Sequence, residues 1–128
     1  MNHSTELGHR WRDLCAALKI TDAADKTFRE LYATYDEKHR AYHTTQHLWE
    51  CLTLAGSLRD EIGPACPLLE MALWFHDSIY DVLSHRNEEK SADWALRSLS
   101  AWGRSAKELS GVRSLILATR HSSVPCHS

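Results

Sequence analysis

The chain has 128 residues, a hydrophobic fraction of 43%, a charged fraction of 25% and a net charge of −2 at neutral pH. That is enough chain for a single domain over residues 1–128 with its own hydrophobic core and no need of disulfide staples. The charge leaves no basic footprint for a nucleic acid or an acidic membrane, and no apolar run reaches the length of a membrane span.

Only five glycines and three prolines interrupt the chain, and period-two alternation is absent, so helices are expected almost throughout. Leu7, Trp11, Leu14 and Leu18 line a first amphipathic helix that ends near Ile20. Thr21 or Asp22 is placed to cap a second, with Phe28, Leu31, Tyr32 and Tyr35 on its inner face. Asp36 to Arg40 breaks the pattern, and a third helix runs from about Thr44 to Leu58 with Leu48, Cys51, Leu52 and Ala55 inward. Gly63-Pro64-Ala65-Cys66-Pro67 reads as a turn. Beyond it, Leu69, Leu73 and Ile79, with Ala72, Trp74 and Phe75 between them, fit a helix buried on most of its circumference. Asn87 is a candidate cap for a helix holding Ala92, Ala95, Leu96 and Leu99, which Gly103 closes. A last helix, about Ala106 to Thr119, presents Leu109, Val112, Leu115 and Ile116, and the tail from Ser122 reads as unstructured. The expected fold class is all-α, a bundle of about five to six helices.

Chemistry concentrates on the apolar helix after the turn. His76 and Asp77 stand side by side inside it, and buried ionisable groups are costly unless hydrogen-bonded, paired or bound to a metal. The dipeptide alone is weak, but nine histidines are an excess for this length and suggest a metal. His43 and His47 are four residues apart and share a face if the helix is continuous. Imidazoles suit Zn, Fe, Mn, Ni or Co, and a neighbouring carboxylate moves a site towards harder, more open coordination. Asp81 follows Asp77 by one helical turn, Arg40 offers a fork that matches phosphate oxygens, and His121 ends the last helix. Plainer roles stand beside these: packing or capping for His43 and His47, a hydrogen bond from a buried Tyr or Trp for Asp77, solvent exposure for Asp81. Glu88 and Glu89 also read as first-turn acids favoured by the helix dipole. Trp49, Trp74, Trp94 and Trp102 read as core. Cys15, Cys51, Cys66 and Cys126 lie far apart with no C-x-x-C, which reads as free thiols in a cytoplasmic protein, and Met1 to Glu6 has no signal-peptide pattern.

Four blocks occur in order: Arg40-Ala41-Tyr42-His43-Thr44-Thr45-Gln46-His47, Ala72 to Asp81 with Trp74-Phe75-His76-Asp77 at its centre, Asn87-Glu88-Glu89-Lys90-Ser91-Ala92, and Ala118-Thr119-Arg120-His121. In these blocks the chain resembles the metal-dependent phosphohydrolases of the HD-domain superfamily, over about Trp11 to His121. The resemblance implies an all-helical HD-like domain that holds a divalent metal ion (Mn, Fe, Ni, Zn, Co or Mg). It implies hydrolysis of a phosphomonoester or phosphoanhydride, a nucleotide being the expected small-molecule substrate. His47, His76 and Asp77 match the metal ligands, and His121 falls in the last block as a further one. Asp81 matches an acid that orients water, Arg40 would contact a phosphate with His43 beside it, and Glu88 would support the site.

One departure qualifies this. The superfamily's last metal ligand is an aspartate beyond the Ala-Thr-x-His block, and no Asp follows Asp93 here. The expectation is a domain shortened at its C-terminal end, or a site completed by water or by the second subunit of a homodimer. A non-catalytic nucleotide- or metal-binding helical domain is the alternative function.

Overall fold

The structure, a computed structural model, describes residues 4–20, 24–36, 45–79 and 86–118. Seven α-helices run through them: α1 (Ser4–Ala17), α2 (Ala24–Tyr35), α3 (Thr45–Ser57), the single turn α4 (Arg59–Ile62), α5 (Cys66–His76), α6 (Asn87–Ala101) and α7 (Ala106–Ala118). A 3-10 turn, Gly63–Ala65, joins α4 to α5, and no strand occurs among the described residues. The all-α class is the one the sequence predicts. None of these helices is long and apolar enough to cross a membrane.

The most hydrophobic helix, α5, is the hub, packing against α1, α3, α6 and α7. Six of the seven residues from Glu70 to His76 are buried, with only Leu73 in that run partly exposed. Trp74 crosses Trp11 of α1 edge-on at 5.0 Å and Phe28 of α2 at 5.9 Å. Phe75 meets Trp94 of α6 at 5.6 Å on the other side. Such edge-to-face pairs contribute about 0.5–1.5 kcal/mol each beyond the area they bury. Trp74 is fully buried, whereas Trp49, Trp94 and Trp102 pack on the core from its rim. Leu115, expected inward, is 40% exposed, because Val112 and Ile116 already fill the stripe of α7 that faces the core.

The ends of the helices explain where the sequence reading slips. Cys66 and Pro67 belong to α5 itself, since proline lacks the N–H that a first helical turn leaves unbonded anyway. Asn87 is the first residue of α6, and Arg86 takes the cap without a side-chain bond. The expected caps Thr21 and Asp22 lie outside the described residues, as does the tail from Ser122. α6 closes on Gly103 (φ 81°), with Arg104 N–H donating to Leu99 O and Gly103 N–H to Ser100 O. α1 closes in the same way, with Ile20 N–H on Cys15 O and Lys19 N–H on Ala16 O, but its left-handed residue is Lys19 (φ 59°). A side chain in that conformation is strained where glycine is not. Lys19→Gly is therefore expected to raise stability by about 0.5–1 kcal/mol, read as a higher urea midpoint at unchanged slope. A lower midpoint would mean that the lysine contributes contacts worth more than its strain.

At the other end of the bundle, Ser105 and Glu108 form a reciprocal cap on α7. Glu108 N–H donates to Ser105 Oγ at 3.2 Å, and Ser105 N–H donates to Glu108 Oε1 at 3.0 Å. Arg104 bonds the other Glu108 oxygen at 2.6 Å and reaches Leu18 O at the end of α1. The Arg104 hydrogen bond, then the Ser105 amide, pull the Glu108 carboxyl down to about 2. Its contribution to stability is complete above the unfolded value of about 4.3 and is lost as pH falls through about 2. Urea midpoints measured between those limits should fall more steeply with acid in the native protein than in Glu108→Gln. Parallel curves would exclude this linkage.

Candidate metal centre

The residue pattern sets α5 beside α3, and this brings the two expected imidazoles together. His47, in the first turn of α3, and His76, the last residue of α5, are both buried, with ring centroids 6.0 Å apart. Asp77 follows as the C-cap of α5, with its Oδ2 3.2 Å from His76 Nε2 and 3.9 Å from His47 Nε2. The three strongest ligand candidates of the sequence thus converge on one carboxylate oxygen.

The doublet does not lie inside a helix, as the apolar run suggests. α5 ends at His76, so Asp77 is not followed by a further turn of that helix, and Asp81 lies outside the described residues. The end of the helix is built by its own carbonyls. Leu73 O accepts from His76 Nδ1 at 2.6 Å, Trp74 O accepts from the Tyr35 hydroxyl at 3.0 Å, and Phe75 O accepts from Ser78 N–H at 2.9 Å. The Asp77 N–H in turn donates to Tyr35 Oη at 3.1 Å. One tyrosine of α2 therefore fixes both the last turn of α5 and the backbone of the aspartate. Beyond it, Ile79 N–H donates to the fully buried Ser91 Oγ of α6 at 3.0 Å, which anchors the chain leaving the site.

A carbonyl only accepts, so the His76 Nδ1 carries the proton of its bond to Leu73. In the neutral ring, Nε2 then presents a lone pair to Asp77 Oδ2, and two acceptors at 3.2 Å need a cation between them. A proton would make an imidazolium–carboxylate pair of these two groups alone. A divalent ion would satisfy the same atoms together with His47. An imidazole oriented through its other nitrogen by a backbone carbonyl is the usual outer-sphere support of a metal ligand. The residues present fit a metal.

Of the other expected site residues, Arg40, His43, Asp81 and His121 lie outside the described residues. Glu88 is half-buried in the first turn of α6, and among the described residues it makes no hydrogen bond or ion pair with His47, His76 or Asp77. Its first-turn position is the one the helix dipole favours. Three contributors went unassigned in the sequence: Tyr35, Ser91 and Cys51. Tyr35 and Cys51 read only as inward residues of their helices, although Cys51 stands one turn after His47. Its Sγ is 3.6 Å from His47 Nε2, and the ligand atoms of His47, Cys51 and His76 all lie within 4.8 Å of one another. Cys51 is disulfide-bonded, whereas Cys15 and Cys66 are free, so the expectation of free thiols holds for two of the three described cysteines.

A cleft of about 720 Å³ lies at the opposite end of α5, where Arg10, Arg59, Cys66 and Glu70 line it. Eleven residues of helix separate that end from His76, roughly 15 Å of rise. Burial, and then the Glu70 carboxylate, push the Cys66 thiol up from its ordinary value, which leaves it a poor nucleophile. Donor chemistry therefore points to the His–Asp end. No family model, curated protein or solved structure matches the chain.

Proposed function

We propose that this chain is a metal-dependent phosphohydrolase acting on a phosphomonoester or phosphoanhydride, with a nucleotide as the expected substrate. The observation that carries the proposal is the convergence of His47, His76 and Asp77 at 3.2 and 3.9 Å, with His76 oriented through its Nδ1 by Leu73. When bound, a divalent ion supplies an acidified water and a polarised phosphoryl oxygen. His47, His76 and Asp77 hold it, and His121 is a further candidate ligand. Asp81 orients the attacking water, and Arg40 with His43 neutralises charge that develops on the phosphoryl group. These last four roles rest on the family resemblance. A cytoplasmic setting belongs to the same reading. The free thiols of Cys15 and Cys66 support it, and the Cys51 disulfide fits it only as a reversible bond.

The test is elemental analysis of protein purified without chelator, followed by phosphate release from a panel of phosphomonoesters and nucleotides. About one transition-metal ion per chain is expected, absent from the His76→Ala, Asp77→Ala double variant, with metal-dependent release of phosphate. Metal retained without release from any substrate would favour the non-catalytic binding domain instead. Equal metal content in both proteins would end the proposal.

A further inference from the structure

We propose that Cys51, when reduced, is a sulfur ligand of the same centre, so that its redox state decides whether the third ligand of the metal is a sulfur or the Asp77 carboxylate. This rests on the metal-centre reading above and adds a ligand and a mode of regulation to it. Cys51 is 1% exposed and lies one helical turn after His47, so both side chains leave α3 on one face. A tetrahedral site with metal–sulfur and metal–nitrogen bonds of about 2.3 and 2.0 Å has a sulfur–nitrogen edge of about 3.5 Å. The Cys51 Sγ to His47 Nε2 distance is 3.6 Å. His76 completes a three-atom set within 4.8 Å, while Asp77 reaches the two imidazoles rather than joining that set. Two donor sets therefore share the same pair of histidines. One takes its third ligand from a carboxylate and the other from a sulfur.

In the disulfide, the Cys51 sulfur is a feeble donor. A dithiol reductant delivers two electrons and two protons to that bond, leaving two protein thiols and becoming a disulfide itself. The Cys51 thiol then loses its proton to solvent as the metal takes the sulfur. Two imidazoles and a thiolate make a three-ligand set of the kind that favours Zn or Co, with a position left for water. Reduction therefore exchanges the Asp77 carboxylate for a softer sulfur donor, and a disulfide oxidant that accepts two electrons returns the site to the carboxylate set.

Cobalt(II) alone is the probe. Reduced protein is expected to develop a strong near-ultraviolet thiolate-to-cobalt band, together with visible ligand-field bands. Oxidised protein and reduced Cys51→Ser should show the visible bands only, and Cys51→Ser should bind cobalt at least about tenfold more weakly than the reduced native chain. Visible bands without the near-ultraviolet band in reduced protein would overturn the sulfur ligand and leave the His–Asp centre standing. No cobalt bands in any form would overturn both. Should Cys51→Ser fail to fold, the reduced and oxidised native protein still give opposite outcomes under the proposal and identical ones without it.

Discussion

Asp77→Asn is expected to lower bound transition metal at least about tenfold and phosphate release at least about a hundredfold, with the fold intact. The direction follows from where residue 77 is held. Its backbone N–H donates to Tyr35 Oη, a bond that an asparagine retains, whereas the carboxylate oxygen faces the two imidazoles. An asparagine has the same shape, cannot supply the charge a divalent ion needs, and can donate from its amide to the His76 nitrogen. The melting temperature should therefore stay within about 4 °C, equivalent to about 1 kcal/mol for a domain of this size. A fall of more than about 10 °C with metal retained would make the carboxylate a structural group and remove it from the centre.

The largest stability effect should come from Trp74. It is fully buried at the crossing of α1, α2 and α5, against Trp11 and Phe28. Trp74→Ala is expected to cost about 3–5 kcal/mol, from lost transfer energy plus the cavity left behind. Natural domains hold only about 5–15 kcal/mol in total, so the variant should be partly unfolded at physiological temperature. Trp74→Phe should behave differently. The indole Nε1–H is buried with no hydrogen-bond partner among the described residues, and its removal relieves a penalty of about 1–3 kcal/mol. That relief offsets much of the lost contact area, and a net cost below about 1.5 kcal/mol is expected by urea titration. Equal costs for the two variants would show that the indole N–H is not a liability.

The inward faces of the helices were legible in the sequence because periodicity records burial directly. Leu48, Cys51, Leu52 and Ala55 of α3, and Ala92, Ala95 and Leu99 of α6, are buried as their spacing predicts. The grouping of His47 with His76 and Asp77 was expected from the motif blocks, where the three match the metal ligands of the family resembled. The end of α5 was not. Apolar residues continue through Ile79, so nothing local stops the helix, and the stop is supplied by Tyr35, 42 residues upstream of Asp77. Ser91 escaped for a related reason: its bond to Ile79 crosses from one helix to the chain leaving another, and a lone serine on an apolar stripe looks like a gap in the pattern. Both residues are set by tertiary contacts, which spacing along one helix does not encode.

Tyr35 also makes the site's attachment to the rest of the fold observable through amide exchange. Its hydroxyl donates to Trp74 O and accepts from Asp77 N–H, so the Asp77 amide is held by a group from a different helix. Helical amides of α5 exchange when that helix unravels, but this one exchanges as soon as α2 lifts away. The protection factor of the Asp77 amide therefore measures the free energy of undocking α2, at the residue where the metal centre would feel it first, and a higher value at the α5 amides would show that undocking precedes unravelling.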